Sequence, residues 1–339
     1  MQMKKIKWLL TLLAGASMLA FVQIVHAENV DFSVAANLPA NQVDTQNSYF
    51  DLWMKPKQVQ KLTLTVSNQS TETKTVTVSP NTATTNQNGV IDYSHHDVKP
   101  DQSQKISVQK LISGPKKIDI PAKSQQQISY QLKMPAKSFD GVLLGGFYVT
   151  AQPNKVTSTH QKAGVSLNNQ FAYVIGLQLR ENRKTIKPVV KLGKITPKTI
   201  NLYPAVEADI HNPTGTILHN LTVQTKISQN GKILHEAVKK GVSMAPNSSF
   251  QYPISWDRQA LTPGHYQLDT TVKDEIGHQW HFKRAFAVTS HQARSVMSRV
   301  QAPVSAVKST PNYWWLATIP VALIAAGIAY MIGRKSTKK

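Results

Sequence analysis

KLTLTVSN, residues 61–68, alternates apolar and polar side chains without a break. Leu62, Leu64 and Val66 fall on one face, Thr63, Thr65 and Ser67 on the other, the period-two signature of a half-buried strand. TKTVTVSP (73–80) repeats the alternation with Val76 and Val78 inward. The polar stretch Asn68-Gln69-Ser70-Thr71-Glu72 between them predicts a hairpin.

Similar runs extend in both directions. QQISYQLKMP (126–135) places Ile128, Tyr130 and Leu132 on one face. GVLLGGFYVTAQ (141–152) is continuously apolar, as a strand covered on both faces would be. Gly145-Gly146 within it predicts a bulge or a close backbone approach. After a polar stretch comes FAYVIGLQLR (171–180), which opens a second domain or pairs back onto 141–152 to close the first. Asn230-Gly231 then sits between LTVQTKI and ILHEAV, the strongest short hairpin signal. Pro263-Gly264 starts a further strand, and Glu275-Ile276-Gly277 turns it into HQWHFKRAFAV (278–288). Many short strands with regular turns and no strong amphipathic helix argue for an all-β chain of two sandwiches.

The two ends predict location. Lys4, Lys5 and Lys7 precede an apolar run from Trp8 to Val25, and Val25-His26-Ala27 forms a small-x-small cleavage site, so residues 1–27 read as a secretory signal. Tyr313–Ile332 carries no charge and has about the 20 residues a membrane-crossing helix needs. Trp314, Trp315 and Tyr330 suit its interfaces, and Arg334, Lys335, Lys338 and Lys339 follow at once, which predicts a cytoplasmic tail over 333–339. No LPxTG-like pentapeptide precedes the helix, which is therefore expected to be the anchor. The expected order is signal 1–27, first sandwich 28–155, second sandwich 156–290 (unless strand 171–180 completes the first), stalk 291–312, helix 313–332 and tail. The expected location is a cell membrane, single-pass, with the bulk extracellular.

The chain has 39 basic and 18 acidic residues, no cysteine and a net charge of +21. Folding thus relies on the core alone, and cysteine-free export fits a Gram-positive bacterium. Setting aside the signal and the tail leaves +14, of which +9 falls in residues 153–289. Outside a cell such a field favours anionic wall polymers, acidic glycans or acidic proteins over nucleic acid. Surface lysines that only maintain solubility explain it equally well.

Catalytic signatures are missing: no cysteine nucleophile, GxSxG elbow or HExxH helix occurs. Asp92, His95, His96 and Asp97 share one segment, but adjacent histidines in a polar turn are more often solvated than metal ligands. No metal, no cofactor and no enzyme activity are expected. Glycan binding asks for less, since sugar CH faces stack on aromatic rings beside amides and carboxylates. Tyr49, Phe50 and Trp53 around Asp51 form the densest aromatic group of the first domain. Their bulk favours core for Phe50 and Trp53, while Tyr49 and Tyr93 are expected at the surface. Tyr49, Trp53 and Tyr93 are the candidate glycan contacts. In the second domain Trp256, Tyr266 and Trp280 read as core, and Lys232, Lys239 and Lys240 as a basic rim for an acidic partner or a solvated edge.

FSVAANLPANQ (32–42), YFDLWMKPKQVQKLTLTVSN (49–68), NGVIDYS (88–94), GVLLGGFYV (141–149) and DIHNPTGTILHNL (209–221) together resemble the WxL-interacting proteins of Gram-positive bacteria. The resemblance covers nearly all of residues 28–339. It implies two tandem immunoglobulin-like sandwiches, the first binding peptidoglycan and the second host proteins such as those of the extracellular matrix. It also implies that the chain holds WxL-domain proteins at the cell wall. The alternative is an adhesin or assembly scaffold that binds proteins only, by adding a strand to an exposed sheet edge, without glycan contact.

Overall fold

The structure is a computed structural model that describes residues 31–152, 171–256 and 259–301. The expected signal, anchor helix and tail lie outside the described residues; within them, no helix is long and apolar enough to cross a membrane.

The first sandwich is built from β1 (Phe32–Asn37), β2 (Phe50–Trp53), β3 (Val59–Asn68), β4 (Lys74–Thr82), β5 (Thr84–Thr85), β6 (Ile91–Asp92), β7 (Ile112–Ser113), β8 (Lys117–Ile120), β9 (Ser124–Lys133), β10 (Leu143–Ala151) and β11 (Ala172–Arg180). One sheet runs β1-β3-β9-β7 and the facing sheet β2-β11-β10-β4-β8, with β5 and β6 as a small separate pair. The alternation read from the sequence sets the inward faces: Leu62, Leu64, Val66, Val76, Val78, Ile128 and Leu132 are all buried. Phe147 anchors the core, with Tyr130 at 4.9 Å and Phe50 edge-on at 6.1 Å between ring centroids. Each such fully buried side chain contributes about 1.5–3 kcal/mol relative to exposure.

β3 and β4 are not a hairpin. They belong to opposite sheets, and residues 69–73 carry the chain across the sandwich. Alternation marks which face is buried, and it is the same whether a turn joins strand neighbours or crosses to the facing sheet. Asn68, 2% exposed, fixes the crossing. Its amide donates to the carbonyls of Glu72 (2.8 Å), Ile120 (2.9 Å) and Pro121 (3.0 Å). Its Oδ1 accepts from the Ser70 N–H (2.9 Å) and hydroxyl (2.7 Å).

The strand over 172–180 pairs antiparallel with β10 and parallel with β2, so it closes the first sandwich and does not open the second. The register through Gly145 and Gly146 is continuous, with no bulge; the glycines serve close approach. A β-carbon on Gly145 would stand 2.5 Å from Val108 Cγ1 and 2.6 Å from the Asn81 carbonyl oxygen.

The second sandwich comprises β12 (Lys191–Ile200), β13 (Tyr203–Asn212), β14 (Leu218–Gln229), β15 (Lys232–Met244), β16 (Ser248–Ser255), β17 (Gly264–Lys273) and β18 (Gln279–Val288). Its sheets run β12-β13-β16 and β15-β14-β17-β18. Asn230 and Gly231 have φ of 51° and 77°, the left-handed pair that a two-residue hairpin turn demands. Helix α1 (Ser290–Met297) follows directly, closed by a capping box between Thr289 and Gln292. Ala293 and Val296 are buried, and Thr199 of β12 donates to the Val296 carbonyl (2.8 Å). The start of the expected stalk is thus packed on the sandwich.

The two sandwiches share one topology. β12-β13-β16 matches β1-β3-β9, and β15-β14-β17-β18 matches β8-β4-β10-β11. Asn212, fully buried, repeats the Asn68 corner: it donates to the carbonyls of Thr216 (2.7 Å) and Ala245 (2.9 Å) and accepts from the Thr214 N–H (3.2 Å) and hydroxyl (2.6 Å). Lys123 and Asn247, at φ of 50° and 51°, donate their N–H groups to Ser70 and Thr214 respectively. Ser124 and Ser248 each donate to the carbonyl three residues back, both at 2.8 Å.

By compactness the chain divides differently. Among the described residues, one unit takes in those up to Lys191 together with 211–220 and 242–250, and the other takes in those of 192–210, 221–241 and 251–301. Within the first unit, Gly141 (φ 83°) lies so close to Gly215 that a β-carbon would strike the Gly215 carbonyl, which accepts from the Val142 N–H at 2.7 Å. Thr85 and Ser248 share a 2.6 Å hydroxyl contact, and the Ser243 N–H donates to the Gly89 carbonyl at 2.7 Å. Much of the NGVIDYS and DIHNPTGTILHNL motifs is therefore structural.

Candidate functional site

Phe50 and Leu52 of β2 point into the core, which leaves Tyr49, Asp51 and Trp53 on the alternate, outer side of the five-stranded sheet. On the same side Gly146 of β10 stands opposite Gly176 of β11. A β-carbon on Gly146 would lie 3.0 Å from the Tyr93 ring, and one on Gly176 would lie 3.5 Å from Tyr49 Cβ. The glycine pair thus makes a floor on which two tyrosines converge.

Each tyrosine is held by a buried amide. Asn81, fully buried and opposite Gly146, donates to the Tyr93 carbonyl (2.7 Å) and shares a 2.8 Å bond with His96 Nδ1. Gln42 donates to the Tyr49 carbonyl (2.8 Å), and its Oε1 accepts from the Asp51 N–H (3.2 Å). Tyr93 is half-buried, against the expectation of a surface residue, and packs beside Ala83 and Leu144. Burial, with the neighbouring Tyr49 phenol adding to it, pushes the Tyr93 hydroxyl up to about 12. Tyr49 is also half-buried.

Further along the row, the Arg180 guanidinium donates to the Asp51 carboxylate at 3.0 and 3.4 Å. Trp53 is half-buried and not core, and Arg183 lies over its ring at 5.5 Å from the centroid. Gln178 stands opposite Asp51 in the β2–β11 register. Asp51 and Gln178 are themselves buried, so the outer face offers the half-buried Tyr49 and Trp53 rings with the Arg180 and Arg183 guanidiniums beside them, groups that hold a sugar by stacking and hydrogen bonds. Sequence reasoning found the β2 aromatics but missed Arg180, Arg183 and Gln178, because the β2–β11 pairing that assembles them joins distant segments.

The remaining candidates separate. His95 pairs with Asp92 (3.1 Å) while His96 turns to Asn81, and among the described residues no three His, Asp or Glu side chains could hold a metal ion. Burial raises the Asp92 carboxyl, but hydrogen bonds from Ser94 and the adjacent His95 outweigh it and hold the group below its ordinary value. Lys232, Lys239 and Lys240 do not form one rim. Lys232 begins β15, and Lys239 and Lys240 lie seven and eight residues further along it. At ~3.3 Å per residue that is roughly 23 Å away. Trp256 and Tyr266 are buried as expected, whereas Trp280 is only half-buried. The outer face of β14, β17 and β18 also carries an open depression of about 540 Å³ bordered by Lys226, His265, Gln267, Asp269 and Lys283.

Two family models match the chain in tandem: WxL Interacting Protein, peptidoglycan binding domain, over residues 32–151, and WxL Interacting Protein, host binding domain, over residues 162–297. The chain belongs to the WxL Interacting Protein family. Both WxL Interacting Protein models describe binding domains. The second begins ahead of β11, a strand that lies in the first sandwich. No curated protein matches the chain. Among solved structures it is similar to the CupB2 chaperone of Pseudomonas aeruginosa (15% identity, 67% of this chain and 92% of that one, TM-score 0.27). It is also similar to the E. coli chaperone DraB (15% identity, 76% and 98%, TM-score 0.28) and to a chaperone–tip adhesin complex of CFA/I fimbriae (12% identity, 74% and 97%, TM-score 0.33).

Proposed function

We propose that this chain is a non-catalytic cell-surface protein that binds peptidoglycan through the outer face of its five-stranded sheet and holds WxL-domain or host proteins through its second domain. Export by the N-terminal signal and anchoring by the 313–332 helix complete the reading. Attachment at two points would let weak contacts combine at high effective concentration. The convergence of Tyr49 and Tyr93 over the Gly146–Gly176 pair, in line with Asp51 and Trp53, carries the glycan assignment. Anionic wall polymers are a further ligand class suited to the positive charge of 153–289.

The test is retention of the whole exported chain on purified peptidoglycan stripped of teichoic acid, at low and high salt. The glycan reading expects retention at high salt that Tyr49→Ala with Trp53→Ala abolishes. Retention at low salt alone would mean a charge effect. A second reading, binding of proteins only, draws on Phe171 and Val174, large apolar side chains 43% and 44% exposed at the start of β11, where β2 does not reach. No retention by the folded chain would favour it.

A further inference from the structure

Among the described residues the second sandwich repeats the two main sheets of the first strand for strand except at two edges, where the two-residue β7 beside β9 and β2 beside β11 have no counterpart. In the first, β11 carries a parallel strand on its outer side, with Phe50–Trp53 of β2 set against Leu177–Arg180. In the second, the sheet ends at β18, and among the described residues no strand lies beside it.

Counting from the two hairpins aligns the edges. Val149 opposite Tyr173 corresponds to Val272 opposite Trp280, so Ile175, Leu177 and Leu179 correspond to Phe282, Arg284 and Phe286. Leu177 and Leu179, beside β2, are fully buried. Trp280, Phe282 and Phe286 are only half-buried, and Arg284 is exposed and donates across to the Gly193 carbonyl of β12. The second sandwich thus keeps a row of large apolar side chains that its own strands do not cover. β18 carries Lys283 and Arg284 and no acidic residue. A half-covered apolar row on a bare, cationic strand edge suits an extended segment with alternating apolar residues and a carboxylate.

We propose that the outer edge of β18 receives an acidic, extended segment of a partner protein, which adds as a strand parallel to β18 in the place β2 fills in the first sandwich. This rests on the reading of the second domain as a protein-binding module. An inward-pointing arginine can also guard an edge against unwanted pairing, and the experiment separates the two roles.

The probe is a synthetic peptide of residues 44–56 of this chain, which contains the β2 sequence, offered to the full chain with a scrambled peptide as control. Hydrogen exchange is followed over 279–288, and over 172–180 to detect displacement of β2 itself. At about ten times its dissociation constant the peptide should slow exchange in 279–288 roughly tenfold. The scrambled peptide should not, an Asp51→Lys peptide should bind several-fold more weakly, and Lys283→Ala, on the face of the sheet that Asp51 would share, should weaken the carboxylate preference. Unchanged exchange in 279–288 overturns the proposal. So does protection seen only in an Arg284→Leu chain, which would make Arg284 a guard. A WxL-domain protein that the full chain retains without protecting 279–288 also overturns strand addition while leaving the protein-binding reading intact. Failure to retain such proteins or extracellular-matrix proteins, with the peptide still protecting 279–288, removes the partner assignment and keeps the edge site.

Discussion

Asn68 and Asn212 hold the same corner of their sandwiches, each tying a five-residue crossing to a turn between two distant strands. An asparagine suits both corners because it alone offers two N–H donors and a carbonyl on so short a stem. Replacing either by alanine strands buried carbonyls, at about 1–3 kcal/mol for each group left unsatisfied. We expect Asn68→Ala and Asn212→Ala each to cost about 3 kcal/mol in denaturant unfolding. Both residues belong to the first compact unit, so both should lower the same transition. Loss of two different transitions would contradict that division.

Gly146→Ala should disturb Tyr93 before it disturbs the core. The added carbon would sit 3.0 Å from both the Tyr93 ring and the Ile175 carbonyl oxygen, and of the two the ring can tilt outward while the carbonyl is fixed in the β10–β11 ladder. The Tyr93 hydroxyl, pushed up to about 12 by burial and by Tyr49, should then titrate closer to its ordinary value of 10.0. Alkaline difference absorbance between variant and parent reads this directly. An unchanged titration would mean that the backbone, not the ring, gives way.

Acid should loosen the 97–107 segment. Burial raises the Asp101 carboxyl, but hydrogen bonds from Ser103, His211 and Ser249 outweigh it and hold the group at about 2. A carboxylate depressed in the folded state stabilises above its unfolded value of ~3.9 and loses that contribution as pH falls toward the folded value. Asp101→Asn should therefore lower stability at neutral pH and show a flatter stability profile between pH 4 and about 2. Identical acid profiles for variant and parent would sink this assignment.

Arg183→Ala should uncover the Trp53 ring. An exposed cation–π contact contributes about 0.5–1 kcal/mol, so the loss in stability should stay within that range. If Trp53 stacks on sugar, removing the guanidinium should leave retention on peptidoglycan equal or stronger. Weaker retention would make Arg183 itself a ligand contact.

Local patterning made the strands legible, and residue pairs with fixed φ made the tight turns legible. KLTLTVSN, SYQLK and the Asn230-Gly231 turn all take the form their sequences predict, because alternation and left-handed φ are local demands. Sheet membership was not legible. Whether β3 and β4 are neighbours depends on where Asn68 finds its acceptors, and those lie 52 and 53 residues away. The placement of β11 depends likewise on partners distant in sequence. For the candidate site, the β2 aromatics could be named from composition, whereas the floor of Gly146 and Gly176 exists only once two strands are in register. Lys232 and Lys239 share one extended strand, whose length sets them apart, a spacing that the Asn230-Gly231 turn signal did not reveal.

The close seating of Gly141 on Gly215 bears on how such chains can be recombined. The segments 211–220 and 242–250 fall within the second family match, yet they belong to the compact unit built mainly from the first. A chimaera joined between residues 152 and 171 would therefore inherit foreign partners for Gly89, Thr85 and Gly141. The two named domains are units of description. Exchange between relatives should succeed only when the donated second half brings a glycine at 215 and a hydroxyl at 248.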